Sequence, residues 1–270
     1  MPKFVYQAEH DATKEEIWNW YNSPGAFRRI MPEWEGIIPM NAGALENDDE
    51  TIFKVGIGPI RQTWVAKHHS VIPGETFADR MMRGPFGAWN HVHRFDSTGA
   101  GKTTIYDDVE YKLPLHFVTG WSAGLTVLPR MRQMFKYRST RVDSDIKQIQ
   151  ATANQPRQKV LVSGSTGMIG LQLCAFLETA GHDVYRLLRP KTKLPADVNS
   201  EKVIRWNDLT GDVLEGDMNG FDSVIHLAGA GIGDKRWSKK RKQLIIDSRV
   251  IPTENLSRVL ASLDKPPKTL

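Results

Sequence analysis

Residues Lys159-Val160-Leu161-Val162-Ser163-Gly164-Ser165-Thr166-Gly167-Met168-Ile169-Gly170 place a short apolar strand directly before a three-glycine turn that opens a helix. Amides at a helix start carry unpaired N–H groups and partial positive charge, so a pyrophosphate can rest there without a side-chain counter-ion. Glycine lets it come close. A bare three-glycine match is weak, but the context here is the one such a device requires: Val160 to Val162 before it and an amphipathic run of Ile169, Leu171, Leu173, Cys174 and Leu177 after it. The stretch predicts a dinucleotide site on Gly164, Ser165, Thr166, Gly167, Met168, Ile169 and Gly170, with a purely structural turn as the plain alternative.

A chain of 270 residues, 40% hydrophobic and 25% charged, is ordinary for a globular protein and long enough for two domains. No membrane span is visible, and the N-terminus turns polar at Gln7 and Glu9, too early for the apolar core of a secretory signal. Cys174 is the sole cysteine, so no intramolecular disulfide can form, and a cytoplasmic setting is the expectation. The net charge of +5 is unevenly spread: residues 1–157 hold 19 Lys+Arg against 18 Asp+Glu (+1), and residues 158–270 hold 17 against 13 (+4). Much of the excess sits in Lys235, Arg236, Lys239, Lys240, Arg241 and Lys242. Without a nucleic-acid fold around it, this cluster reads as a solvated helix end or an anion-attracting patch rather than a DNA or RNA site.

The segment Ala151-Thr152-Ala153-Asn154-Gln155-Pro156-Arg157-Gln158 interrupts the helical pattern before it and reads as a polar linker, 151–158, between a domain over 1–150 and a second over 159–270. In the first, Phe4–Glu9 is strand-like and Thr13-Lys14-Glu15-Glu16 forms a capping box. A helix with Ile17, Trp18, Trp20 and Tyr21 follows, then a break at Ser23-Pro24-Gly25 and a short helix over 26–30. Strands are expected over 36–40, 51–57, 60–71, 75–82, 88–95 and 103–113. A closing helix is expected from about Pro129, with Met131, Met134, Phe135, Arg138, Val142, Ile146 and Ile149 near one face.

This order, together with Gly84-Pro85-Phe86-Gly87-Ala88-Trp89-Asn90-His91-Val92-His93-Arg94-Phe95, resembles the SRPBCC superfamily, the START or birch-pollen-allergen-like helix-grip fold, across nearly all of residues 1–150. The resemblance implies an α+β domain whose sheet and closing helix enclose a cavity for a small apolar ligand. Trp89, His91, His93 and Phe95 alternate onto one strand face. They read either as an amphipathic face with part-buried histidines or, with Met131, Met134 and Phe135, as a cavity lining. Two histidines without a nearby third ligand make no metal site, so none is expected.

In the second domain, strands are expected at Asp183–Leu188, Lys202–Trp206 and Ser223–Gly229, with small residues in Leu227-Ala228-Gly229 letting a flat cofactor approach. Crossover helices between such strands give an α/β, Rossmann-type, doubly wound parallel sheet that gathers ligands at the strands' carboxyl ends. Where NAD-preferring folds place an acid after the second strand, Arg189 stands, with Lys191 and Lys193 beyond. A cationic pocket favours NADP over NAD.

Gly164-Ser165-Thr166-Gly167-Met168-Ile169-Gly170, His226-Leu227-Ala228-Gly229, Gly233-Asp234-Lys235-Arg236-Trp237, Arg241-Lys242 and Asp247-Ser248-Arg249-Val250 resemble the epimerase-family proteins of the short-chain dehydrogenase/reductase superfamily, some of which carry an SRPBCC domain in front. That resemblance implies a nucleoside-diphosphate-sugar-epimerase-like or reductase-like protein acting on a small-molecule substrate it does not name. Two departures stand against catalysis within these residues. None of the six tyrosines has a lysine four positions on, and Arg249 replaces the family's proton-relay asparagine while Pro252 should kink or interrupt the helix. The chain stops at Lys265-Pro266-Pro267-Lys268-Thr269-Leu270, where a fifth strand is expected to begin, so a fragment of a longer protein is expected and no catalytic residue is assigned. A non-catalytic NADP-dependent sensor or carrier is the rival reading.

Overall fold

A computed structural model describes residues 1–41, 45–57, 60–113 and 123–270. The chain divides into two compact units, Met1–Asn154 and Gln155–Leu270, and the division falls inside the polar stretch 151–158.

The first unit is a seven-stranded antiparallel sheet gripping a helix. Strand β1 (Lys3–His10) leads into α1 (Lys14–Tyr21) and α2 (Ala26–Ile30); β2 (Ile38–Asn41), β3 (Glu50–Ile57), β4 (Ile60–Ile72), β5 (Thr76–Arg83), β6 (Ala88–Gly99) and β7 (Lys102–Lys112) follow, and α3 (Ala123–Ala151) closes the unit. Sheet order is β1-β7-β6-β5-β4-β3-β2. The meander is consecutive, and only β1 reaches across to pair with the last strand. Helix α1 starts where the capping box places it: Thr13 Oγ1 accepts from the Glu16 amide at 3.2 Å, and Glu16 Oε2 accepts from the Thr13 amide at 2.7 Å. Helix α3 begins ahead of Pro129 rather than at it. The apolar residues before the proline explain this, since Val127 and Leu128 pack against the core and their burial offsets one missing amide bond.

Alternation fills the concave side. Along β6, Trp89, His91, His93 and Phe95 point inward; along β7, Thr103, Ile105, Asp107, Val109 and Tyr111 do the same. Two apolar clusters result. One gathers Phe4, Phe53, Trp64, Trp89, Val109, Tyr111, Met131 and Phe135; the other gathers Ile17, Trp20, Phe77, Phe95, Ile105, Val142 and Ile146. Polar residues of β4 to β7 lie between them.

The second unit is a five-stranded sheet ordered β11-β10-β9-β8-β12, from β8 (Lys159–Ser163), β9 (Asp183–Leu188), β10 (Val203–Trp206), β11 (Val213–Glu215) and β12 (Ser223–His226). β10, β9, β8 and β12 run parallel, and β11 adds an antiparallel edge absent from the sequence-based expectation. Helix α4 (Met168–Thr179) crosses from β8 to β9, and α5 (Lys239–Ala261) follows β12. Only the first crossover is an α-helix: β9 reaches β10 through a loop and a 3-10 turn at Ser200–Lys202, and β10 reaches β12 through β11. Both sheet faces are nonetheless covered. Val160, Val162 and Val184 pack with Cys174, while Leu161, Leu187, Ile204 and Val224 pack with Leu256 and Leu260.

Of the kink or interruption expected at Pro252, α5 shows no interruption. It is buried, and Thr253 Oγ1 donates to the Arg249 carbonyl at 2.6 Å, adding a bond next to the one the proline omits. At the far end Thr269 forms an isolated parallel bridge with Ser223, with the Val224 amide on the Thr269 carbonyl at 2.9 Å, on the side of β12 away from β8.

Candidate functional site

Two sites emerge, one in each unit. In the first, the sheet and α3 enclose a cavity of about 660 Å³. Trp89, His91, His93, Met131 and Met134, which the sequence left as either core or cavity lining, border it. Phe135 does not: its ring sits behind the wall, 5.2 Å from Phe4, 5.8 Å from Tyr6 and 5.4 Å from His91, because α3 turns that position directly onto β1. Apolar rings (Phe27, Phe53, Trp64, Phe86) add to the wall, and Tyr21, His68, Asp79 and Arg138 add polar atoms.

Strand register assembles the polar atoms. His68, Asp79 and His91 are lateral partners on β4, β5 and β6; Phe77, His93 and Asp107 are partners one row along on β5, β6 and β7. Asp107 Oδ1 accepts from His91 Nε2 at 2.9 Å and lies 2.8 Å from His93 Nδ1, off the line of a good hydrogen bond to the latter. On the other side of the two rings, Asp79 Oδ2 stands 3.5 Å from His91 Nδ1 and 3.6 Å from His93 Nε2. The third group that spacing along one strand could not supply therefore comes from a neighbouring strand. Burial and the adjacent His93 push His91 below the usual imidazole range. At His93 burial acts the same way, but the carboxylates of Asp107 and Asp79 outweigh it and raise its pKa. Burial would raise both carboxyls, yet the histidines hold them down, Asp107 well below the ordinary value.

In the second unit, β8 and β12 are neighbours although β9 follows β8, so their carboxyl ends flank a topological switch point. Gly164 to Gly170 turn there. Gly164 has φ +74°, and a Cβ on it would meet the Ala228 nitrogen at 2.7 Å; a Cβ on Gly170 would meet the Gly164 carbonyl at 2.2 Å. Those two glycines are required by the fold. Gly167 is different: it caps α4 with φ −77° and ψ 167°, a conformation any residue adopts, and its Cβ would meet only the Gly164 carbonyl at 3.3 Å. No side chain caps the helix, and Met168 and Ile169 are 71% and 66% exposed, so the helix start presents bare amides to solvent. Ser165 is buried with an unpartnered hydroxyl, and Thr166 is part-buried. Gly170→Ala is expected to lower the melting temperature of this unit, by overpacking worth about 1–3 kcal/mol; scanning calorimetry showing no shift would contradict the close helix–strand contact.

Residues 160–268 match the NAD dependent epimerase/dehydratase family. The chain is 40% identical over 102 residues to the epimerase family protein Mb2239 of Mycobacterium bovis, covering 38% of this chain and 32% of that protein. It is 32% identical over 111 residues to the epimerase family protein YfhF of Bacillus subtilis, covering 41% and 35%. Across both units, the chain is similar to the crystal structure of a nucleoside-diphosphate sugar epimerase from Corynebacterium glutamicum, with a TM-score of 0.73 and 28% identity over 97% of this chain and 52% of that one. The chain thus spans about a third of the curated relatives it matches and half of that solved protein.

Around the epimerase-matched turn, Leu227 and Gly229 are exposed and Ala228 is part-buried, at the end of β12. Two residues of the Asp247-Ser248-Arg249 motif fix this loop: Ser248 Oγ accepts from the Ala230 amide at 2.9 Å, and the Arg249 guanidinium donates to the Ala230 carbonyl at 3.1 Å. Trp237 Nε1 donates to the Ile232 carbonyl at 2.9 Å, and Arg241 binds the Gly231 carbonyl. Arg236, Lys235, Lys239 and Lys240 are exposed. After β9, Arg189 is 69% exposed at its side chain and lies 4.0 Å from Asp208, and Lys191 and Lys193 are exposed. Arg205, unremarked in the sequence, donates to the carbonyls of Arg189, Pro190 and Thr192 at 3.1–3.2 Å and thereby shapes the loop that carries Arg189. Among the described residues no helix is long and apolar enough to cross a membrane.

Proposed function

We propose that residues 155–270 bind a nicotinamide dinucleotide, NADP in preference to NAD, as the coenzyme half of an epimerase- or reductase-like protein, and that the first unit holds a small molecule with a largely apolar body. The observation that carries the first part is the turn itself: Gly164 and Gly170 allow no side chain, and Gly167 is exposed in front of helix amides that no side chain caps, its own Cβ position already within 3.3 Å of the Gly164 carbonyl. The residues fit a pyrophosphate on the Met168, Ile169 and Gly170 amides, a ribose 2′-phosphate near Arg189, and a flat ring against Leu227, Ala228 and Gly229. Such a coenzyme, when bound, supplies hydride exchange with a carbonyl or sugar carbon.

Titration of the chain with NADPH and NADH, followed by nucleotide fluorescence, tests this reading. NADPH is expected to bind more tightly, and Arg189→Glu to reverse the order by weakening NADPH at least about tenfold, the effect of exchanging attraction for like-charge repulsion at an exposed phosphate. Equal affinities in both proteins would remove Arg189 from the site. One observation favours the rival reading of a non-catalytic sensor: Arg249 spends its guanidinium on the Ala230 and Ile245 carbonyls, at 3.1 and 3.0 Å, and stands where the resemblance calls for a proton-relay asparagine.

A further inference from the structure

We propose that Asp79, His91 and His93 form a site for a divalent transition-metal ion, zinc or ferrous iron, on the polar belt of the first unit's cavity. One ligand atom from each lies within 4.8 Å of the other two. The spacing of Asp79 Oδ2 from the nearer ring nitrogens, 3.5 and 3.6 Å, is too long for good hydrogen bonds. It is close to the separation of about 3.4 Å between ligand atoms that share one tetrahedral ion at bond lengths near 2.0–2.1 Å.

The outer pair of nitrogens completes the pattern. His91 Nε2 donates to Asp107 Oδ1 at 2.9 Å, so a buried carboxylate orients that imidazole by its distal N–H, while His93 Nδ1 lies 2.8 Å from the same oxygen but off the line of a good hydrogen bond. That leaves His91 Nδ1, one of the two nitrogens nearer Asp79, as an acceptor, the tautomer metal ligation requires. Charge points the same way. Two carboxylates, Asp107 buried and Asp79 part-buried, flank the two rings, and a dication with neutral imidazoles brings this four-residue cluster to zero net charge.

Two nitrogens and one oxygen are a borderline-soft donor set suited to zinc or ferrous iron rather than to calcium or magnesium. Three protein ligands leave at least one position open. Asp79, His91 and His93 all line the cavity, so that position faces the guest, which would be an apolar molecule carrying an oxygen donor such as a carbonyl or carboxylate. This site is independent of the coenzyme assignment, because it lies wholly within the first unit.

The test uses the whole chain after chelator treatment, titrated calorimetrically with Zn²⁺ and with Co²⁺ as the spectroscopic probe. One equivalent is expected to bind, with visible Co²⁺ absorption that Zn²⁺ displaces. Asp107→Asn should weaken binding roughly 10- to 100-fold, and Asp79→Asn by at least as much, with circular dichroism reporting whether each variant is folded. X-ray absorption on the zinc-loaded wild type should show two imidazoles, and it decides the matter if the variants do not fold. Failure of wild type to bind either ion, affinity unchanged in folded Asp79→Asn, or a zinc shell with fewer than two imidazoles would each overturn the site.

Discussion

Gly167→Asp is expected to abolish NADPH binding while leaving the second unit as stable as before or slightly more so. The two effects separate because Gly167 sits at the N-cap of α4 in extended geometry, with φ −77° and ψ 167°. Aspartate is among the best residues for that position, since its carboxylate accepts from first-turn amides and complements the positive end of the helix dipole. Relative to glycine the gain is a few tenths of a kcal/mol, so the melting temperature should stay level or rise by up to about 3 °C. The same carboxylate occupies the amides a diphosphate needs and sets like charge against it, an opposition of several kcal/mol, or a loss of more than about 100-fold. Calorimetric titration with NADPH and a thermal melt on one sample measure both. A folded variant that keeps wild-type NADPH affinity would place the dinucleotide somewhere other than this helix start.

That glycine shows how far the sequence speaks and where it stops. The order strand, three-glycine turn, helix was legible because it is local: apolar period, turn residues and helix start all fall within about a dozen positions. So were the capping box at Thr13 and the inward alternation of Trp89, His91, His93 and Phe95. What each glycine does was only partly legible, because Gly164 is fixed by Leu227 and Ala228, contacts across the fold, whereas Gly170 is fixed within the turn by Gly164 and Ser165. The cavity cluster escaped for the same reason. His91 and His93 share a strand and were visible, but Asp79 and Asp107 arrive from β5 and β7 through register. A signal was present, since Asp107 is the charged residue in an inward series that is otherwise Thr103, Ile105, Val109 and Tyr111. A charge at an inward position of a buried strand asks for a partner, and pairing β7 with β6 names two. The start of α3 was missed where packing of Val127 and Leu128 against the core overrode the proline signal, and β11 was missed because a three-residue exposed edge strand carries no buried face to mark it.

Asp145→Ala should be the most damaging single change in the first unit, although neither Asp145 nor its partner has any place in the proposed chemistry. Arg29 on α2 and Asp145 on α3 are buried, at 6% and 1% exposure, and meet through two contacts, one from Arg29 Nε to Asp145 Oδ2 at 2.8 Å and one from its terminal nitrogen to the other oxygen. Assembling such a pair contributes little, because dehydrating both ions offsets most of their attraction. Breaking it is another matter. Removing the carboxylate takes the Asp145 charge away from an interior guanidinium, a loss of about 3–5 kcal/mol, or roughly 6–20 °C in the transition of a unit this size. Helix α2 supplies Ala26, Phe27 and Ile30 to the cavity wall, so affinity for an apolar probe such as anilinonaphthalene sulfonate should fall with stability. The paired replacement Arg29→Met with Asp145→Leu separates the causes: if uncompensated charge is the damage, the double variant recovers most of the stability, and the coupling between the sites is large and favourable. Scanning calorimetry of the three variants decides it. A single variant that melts within about 2 °C of wild type would show that water reaches Arg29, and a double variant no better than the single would show that packing, not charge, is what Asp145 provides.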